Sequence, residues 1–339
     1  MTIQQKLLRG HHMKVLVIGG TSFVGRHIVE RALLNGHEVA LFNRGITNSD
    51  LFPECRRIVG DRRTNMELAA SEQWDAVIDT SGYTPSDVKP VIEALKDKTS
   101  HYTFISTISV YDDFSKGNVN ESGSKFTQTV TTDEVTSETY GPLKVMCEEE
   151  VNDGFGEKAL IIRPCIIVGP HDPTDRFTYW ALRAVEEGPI AVPGGDRKAQ
   201  WIDVRDLAKW TIEMVEAKKT GAFNAASQPV SFESFIDELA PEQGIEKIFI
   251  PDSVVAKVEM DAKLRFPFCV PISEQHPQGF LIADASKAAE AGLSIRPLRE
   301  TAVDTREWAK HLDSEKCKAG PTNDIEKLFI ENASEGIAK

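Results

Sequence analysis

Paired cysteines, long apolar runs, clustered cations and internal repeats are all missing from this chain. The five cysteines, Cys55, Cys147, Cys165, Cys269 and Cys317, follow no paired spacing. That argues against a disulfide framework and for free thiols in a reducing compartment, so a cytoplasmic location is expected. Cys165 sits inside an apolar run and reads as core. No apolar stretch is long enough to span a bilayer, so no membrane partner is expected. Residues Met1 to His12 are polar and lack the apolar centre of a signal peptide. The folded part is expected to begin near Met13, and the His11-His12 pair is not read as a metal site; no metal is expected. Lysine and arginine number 39 against 52 aspartates and glutamates, a formal net charge of −13. A general nucleic-acid surface needs clustered cations, so nucleic acid is not an expected partner.

What is present is an alternation. The 339 residues, 41% of them hydrophobic, suffice for one large α/β domain and a smaller lobe. Strand-like apolar runs at 14–18, 38–42, 57–60, 75–79, 102–106 and 159–163 alternate with helical stretches at 23–35, 86–96 and 140–152. This predicts a Rossmann-type, doubly wound parallel sheet. Gly82-Tyr83-Thr84-Pro85 reads as a turn, with Ser86 capping the helix after it. The dinucleotide-binding domain is expected over 13–169, with 201–226 returning to its sheet. After Pro170 polar and aromatic residues crowd together, and 170–200 with 227–312 read as a smaller C-terminal substrate lobe and C-terminal elements. Residues 313–339 read as a polar tail carrying one short helix around Asp324 to Ile330.

Lys14 to Ile18 is a short apolar run of the kind a buried parallel strand needs. Gly19-Gly20-Thr21-Ser22-Phe23-Val24-Gly25 follows. Val24, Ile28, Ala32 and Leu33 then recur at helical spacing, and Gly36 suits the helix end. Glycines permit a tight turn, and the helix N-terminus offers unpaired N–H groups to a pyrophosphate. Gly19, Thr21, Ser22, Phe23, Val24 and Gly25 are therefore candidate cofactor contacts. Asn43-Arg44 ends the second strand without an acid. In a fold of this type an acid there binds the ribose hydroxyls, whereas arginine accommodates a 2′-phosphate. NADP(H) is therefore expected over NAD(H). Asp61, after a short strand, either holds the adenine or caps a turn, and Ser81 is a further cofactor candidate.

Tyr140 and Lys144 lie four residues apart and share one helix face. An ammonium near a phenol favours the phenolate and is expected to lower a pKa that is ordinarily about 10. A tyrosine so tuned exchanges protons near neutral pH. Pro142 is compatible with a helix starting between Ser137 and Tyr140, since proline fits a first turn.

The glycine turn and the Tyr140-Gly141-Pro142-Leu143-Lys144 stretch together resemble the extended short-chain dehydrogenase/reductase family, which includes epimerases and dehydratases of nucleotide sugars. The family's GxxGxxG fingerprint is met at Gly19 and Gly25, with Ser22 at the middle position. Phe104 to Tyr111, Arg163-Pro164, Gly169-Pro170, Gln200 to Ala208, Asp284 to Lys287 and Arg296-Pro297-Leu298 match further landmarks in order, so the resemblance covers about Met13 to Leu312. It implies an NAD(P)-dependent oxidoreductase or epimerase in which hydride passes between the nicotinamide and a hydroxyl or carbonyl carbon of a small molecule. It implies that Thr107, four residues before Tyr111, binds the reacting oxygen, with Ser106 and Ser109 as neighbours able to substitute. Tyr140 is then the acid/base and Lys144 the residue that tunes it and holds the ribose. A dehydratase commonly has an acid pair after the serine or threonine; Ile108 stands there instead. Tyr83, His171, Asp175, Arg176, Tyr179 and Trp180 are candidate substrate contacts, and a homodimer through the Tyr140 helix is implied by analogy. The chain is also similar to bacterial isoflavone-reductase-like proteins. Phe42-Asn43-Arg44-Gly45 and Ser22 resemble the chloroplast stem-loop-binding relatives, so a non-catalytic or RNA-binding role is the alternative.

Overall fold

Every strand of the main sheet runs in the same direction. The computed structural model describes residues 12–194, 196–240, 244–262, 266–270, 272–274, 276–312 and 318–337. The sheet is built from β1 (Lys14–Ile18), β2 (Glu38–Asn43), β3 (Arg56–Val59), β4 (Ala76–Asp79), β5 (Tyr102–Ile105), β6 (Ala159–Pro164) and β7 (Gly221–Ala225). Their spatial order is β7-β6-β5-β4-β1-β2-β3. The order reverses beside β1, which pairs with β2 on one side and β4 on the other. At such a switch point, loops beyond the carboxyl ends of the strands separate and leave a crevice.

The strands are apolar because both faces are covered. Along β1, Val15 and Val17 enter one core while Leu16 and Ile18 enter the core on the opposite face. Helix α1 (Phe23–Leu34) lies on the first face with α5 (Val204–Glu216), and α2 (Pro85–Leu95) lies on the second with α3 (Tyr140–Phe155). The helix expected near Ser86 begins one residue earlier, and its cap lies two residues earlier. Thr84 is its cap and Pro85 its first residue, because the Asp87 carboxylate accepts from the backbone N–H groups of Tyr83 and Thr84, each at 3.1 Å.

A further core gathers residues after Val168. Trp180 stacks on Phe266 at 5.9 Å, and Phe177, Trp201, Phe235 and Phe329 pack around them. Helix α4 (Arg176–Arg183) supplies one wall. Of the segment 201–226, only β7 joins the main sheet. Trp201–Asp203 instead pairs with Ile166–Val168 outside it. The segment expected as a tail with one short helix differs as well: Asn323–Ile337 is a single helix that buries Phe329 and Ala333 in this core. Its Glu326 pairs with the buried Arg183 at 2.6 Å. Residues 313–317 and 338–339 lie outside the described residues, as do Met1 to His11. Among the described residues no helix is long and apolar enough to cross a membrane.

Candidate active site

The turn after β1 is shaped by what glycine lacks. A Cβ on Gly25 would meet the backbone N of Gly20 at 2.7 Å, and one on Gly19, whose φ is +103°, would meet the Thr80 hydroxyl at 2.6 Å. Ser22 needs no such freedom. It is exposed and extended (φ −134°, ψ 143°) as the residue before α1, which explains why serine is accommodated there. Phe23 carries the strain instead, with φ 27° at the first helical position. Asn43 ties this turn to the end of β2: its amide donates to the Gly19 carbonyl at 2.9 Å, and its oxygen accepts from the Gly45 N–H at 2.9 Å.

These residues border a cavity of about 710 Å³, a size suited to a cofactor. Gly19, Thr21, Ser22, Phe23, Val24, Gly25, Asn43, Arg44, Asp61 and Ser81 all line it, as does Tyr83. Arg44 is exposed at the rim. Asp61 does cap a turn, accepting from the Arg63 N–H at 2.8 Å, while still facing the cavity. Arg62 and Arg63 also line the wall, and sequence reasoning missed them. Their side chains are spoken for by acids far away in the chain, Arg62 by Asp79 and Arg63 by Asp87 and Asp133.

Beside this cavity the ends of β5 and α3 meet. Thr107 follows β5 and caps the short turn Ile108–Val110, its hydroxyl accepting from the Ser109 N–H at 3.1 Å. Tyr140 is the first residue of α3, and the next residue lets the helix press close. A Cβ on Gly141 would sit 2.4 Å from the Ser109 carbonyl oxygen and 2.8 Å from the Phe126 ring. One turn on, Lys144 is buried. Its ammonium donates to the carbonyls of Gly82 at 2.8 Å and Ile105 at 2.9 Å, and lies 4.0 Å from the centre of the Phe104 ring. Gly82 stands between Ser81 and Tyr83, so Lys144 braces the cavity wall from behind.

The electrostatics correct one expectation. Tyr140 is not drawn below the ordinary phenol range. Burial pushes it up to about 12, and a hydrogen bond with Thr107, not the charge of Lys144, is the foremost opposing influence. Burial also pulls Lys144 down to about 8. Desolvation disfavours the charged form of each group, and two of the three Lys144 donors go to backbone carbonyls.

The candidate substrate contacts divide. Tyr83 is half exposed on the cavity wall. Arg176 is exposed, donates from Nε to Thr174 Oγ1 at 3.0 Å, and its charge acts on Tyr140. His171 and Tyr179 are not brought to the cavity. His171 packs between the rings of His27 and Trp308 and contacts Arg26 at 3.3 Å. Tyr179 is buried against Trp180 in the core after Val168, where the chain also encloses Trp180. Asp175 takes a left-handed conformation (φ 54°) and accepts from the Lys318 N–H at 3.1 Å, a structural role. The aromatic density of this segment at Phe177, Tyr179 and Trp180 reports core formation.

Comparison with known proteins matches residues 15–226 to the model of the NAD dependent epimerase/dehydratase family. The chain is 26% identical over 277 residues to the chloroplast stem-loop binding protein of 41 kDa b of Arabidopsis thaliana, covering 75% of this chain and 70% of that protein. It is 25% identical over 268 residues to UDP-glucose 4-epimerase of Neisseria meningitidis serogroup C, covering 62% of this chain and 75% of that one. Among solved structures, UDP-glucuronic acid 4-epimerase from Bacillus cereus in complex with NAD shares the fold with a TM-score of 0.62 at 21% identity, over 89% of this chain and 98% of that one.

Proposed function

Because the chain belongs to the NAD dependent epimerase/dehydratase family, and is thus an NAD-dependent enzyme of the extended short-chain dehydrogenase/reductase type, we propose that it interconverts a hydroxyl and a carbonyl carbon of a small molecule, most plainly a nucleotide sugar, with Tyr140 as acid/base. The observation that carries this reading is the meeting of Thr107, Tyr140 and Lys144 beside the glycine-lined cavity. A dinucleotide fits there: Gly19 and Gly25 lack the side chains that would fill the turn, and the N-terminus of α1 opens onto the same space. Bound, the cofactor supplies the hydride acceptor or donor and, when oxidised, a positive charge that favours a phenolate.

The residues then divide the work. Thr107 Oγ1 hydrogen-bonds the reacting oxygen, and the Tyr140 hydroxyl takes or returns its proton. Lys144, fixed by two carbonyls, holds the ribose. Arg176 and Tyr83 face the substrate. Ile108 in place of an acid speaks for epimerase or reductase chemistry over dehydration. The nucleotide-sugar assignment leans on the names of the epimerase relatives. Two copies associating through α3 is part of the same proposal.

Tyr140→Phe is the test. It keeps the ring and deletes the hydroxyl, so turnover should fall by about 10² to 10⁴, with cofactor affinity preserved. A variant with wild-type turnover on any nucleotide sugar or carbonyl compound found by a nicotinamide absorbance screen would sink the assignment. The chloroplast relative's name raises RNA binding as the alternative. The net charge of −13 opposes it, and RNA retained at moderate salt without nicotinamide turnover would favour it.

Arg44 supports a preference for NADP(H). No acid occupies the end of β2, and this guanidinium is exposed at the cavity rim. Arg44→Ala should weaken NADP(H) by about tenfold, roughly 1.4 kcal/mol, and leave NAD(H) unchanged in a fluorescence titration. Equal wild-type affinities for the two cofactors would refute the preference.

A further inference from the structure

Arg163 forms part of a buried network that the catalytic reading leaves without a role. The Glu148 carboxylate is fully buried on α3 and takes two bonds from the Arg163 guanidinium, Nε to Oε1 at 2.8 Å and Nη2 to Oε2 at 2.6 Å. Lys125 approaches the same carboxylate at 3.5 Å. Taking such a pair out of water costs much of what its attraction returns, and apolar side chains of similar shape often serve a fold as well. Stability alone is therefore a weak account of it.

Apart from Arg163 Nη1 donating to the Glu121 carbonyl at 3.4 Å, its remaining bonds converge on one place. Ser106 Oγ donates to Glu148 Oε1 at 2.7 Å, and Arg163 Nη1 donates to the Tyr111 hydroxyl at 2.9 Å. The Tyr111 hydroxyl donates onward to Asn224 Oδ1 on β7 at 2.8 Å. Ser106 and Tyr111 are the two ends of the turn that carries Thr107. Glu148 itself follows Tyr140 and Lys144 at successive intervals of four, on one face of α3. A single ion pair thus grips both ends of the threonine turn and the helix that presents the tyrosine.

We propose that Glu148, held by Arg163, is a positioning residue that sets the Thr107 hydroxyl against the Tyr140 phenol. This rests on the catalytic reading of those two residues. Hydrogen bonding to Thr107 is the foremost influence opposing the upward push of burial on this phenol, so a turn that slackens changes both geometry and proton affinity.

Removing Glu148 would leave the Arg163 guanidinium buried without its partner and endanger the fold. The test therefore acts on Ser106, one link in the grip, in the full chain. Ser106→Ala should lower turnover by about tenfold or more, with KM and cofactor affinity within about threefold of wild type. Ser106→Thr should restore it. With oxidised cofactor bound, whose positive charge favours the phenolate, near-ultraviolet phenolate absorbance with Tyr140→Phe as the blank gives a readout that needs no substrate, and Ser106→Ala should move the Tyr140 midpoint to higher pH. An unmoved midpoint overturns the proposal, whatever the turnover does. So does a Ser106→Ala enzyme whose thermal midpoint, cofactor affinity and turnover fall together without rescue by Ser106→Thr, because that is a structural loss. Wild-type turnover in Tyr140→Phe would instead refute the catalytic reading and leave the midpoint shift to judge the positioning.

Discussion

Two turns follow parallel strands of one sheet and are built by opposite means. The turn from Gly19 to Gly25, after β1, is made of backbone. Side chains are absent where the chain passes closest to itself, and Ser22 stands exposed with ordinary dihedrals. The turn from Thr107 to Tyr111, after β5, is made of side chains. Buried Ser106 and Tyr111 fasten its ends to the Glu148–Arg163 pair, and Lys144 is pinned by carbonyls beside it. The difference follows the demands on each. Holding an anion requires bare N–H groups at close range, which side chains would block. Moving a proton requires hydroxyls held in fixed alignment, which bare backbone cannot supply.

If the first turn serves binding, its glycines and its serine should respond very differently. Gly25→Ala places a methyl 2.7 Å from a backbone nitrogen that has no room to yield. Cofactor affinity should fall by at least about hundredfold, close to 3 kcal/mol. Ser22→Gly should stay within about tenfold, since the serine adopts no conformation that requires glycine. Isothermal titration of both variants decides the matter. Gly25→Ala binding like wild type would break the contrast between the turns at its larger end.

The second turn should show the complementary pattern. Gly141→Ala drives a methyl toward the Ser109 carbonyl and the Phe126 ring, so α3 must shift by a fraction of an ångström away from Thr107. Turnover should drop by about ten- to hundredfold while cofactor affinity stays near wild type. Steady-state kinetics at saturating cofactor, paired with titration, separates the two. Loss of affinity equal to the loss of turnover would mean that the turns are not functionally distinct.

The same contrast explains what the sequence made legible. The parallel sheet and the first turn depend on near neighbours: an apolar run, a glycine spacing and a helical period, all within 14–36. Thr107, Tyr140 and Lys144 emerged from short local patterns and a family resemblance. The grip of Glu148 did not, because its partners lie at 106, 111, 125, 163 and 224, and only the folded sheet brings them together. Arg62 and Arg63 were hidden for a similar reason. Conversely, His171 and Tyr179 look like binding residues because polar aromatics crowd that segment, whereas Tyr179 packs into the core after Val168 and the half-buried His171 sits between His27 and Trp308. The direction of the Tyr140 shift was misread because proximity to Lys144 is visible in sequence and burial is not.

The smallest expected effect tests whether the second turn differs in being buried and ionisable. The first turn has no titratable side chain from Gly19 to Gly25, while α3 buries Lys144 and Cys147 under the second. Burial raises the Cys147 thiol from 9.0 to about 12. Above pH 9 the unfolded chain releases this proton and the folded chain keeps it, so folded stability falls as pH rises from 9 toward 12. Lys144 works the other way. Its pKa is lowered from 10.5 to about 8, so the unfolded chain holds the extra proton between those values and stability rises with pH across them. Cys147→Ala removes the first contribution and, because the thiol helps hold the Lys144 charge, lets Lys144 fall further, so both changes act in the same direction. Between pH 8 and pH 10 the variant should lose less stability than wild type, or gain more, by about 1 kcal/mol, measured by urea denaturation at the two pH values. Identical pH dependence in the two proteins would show that the thiol is not held protonated by its surroundings, and that the interior beneath the second turn is wetter than its packing implies.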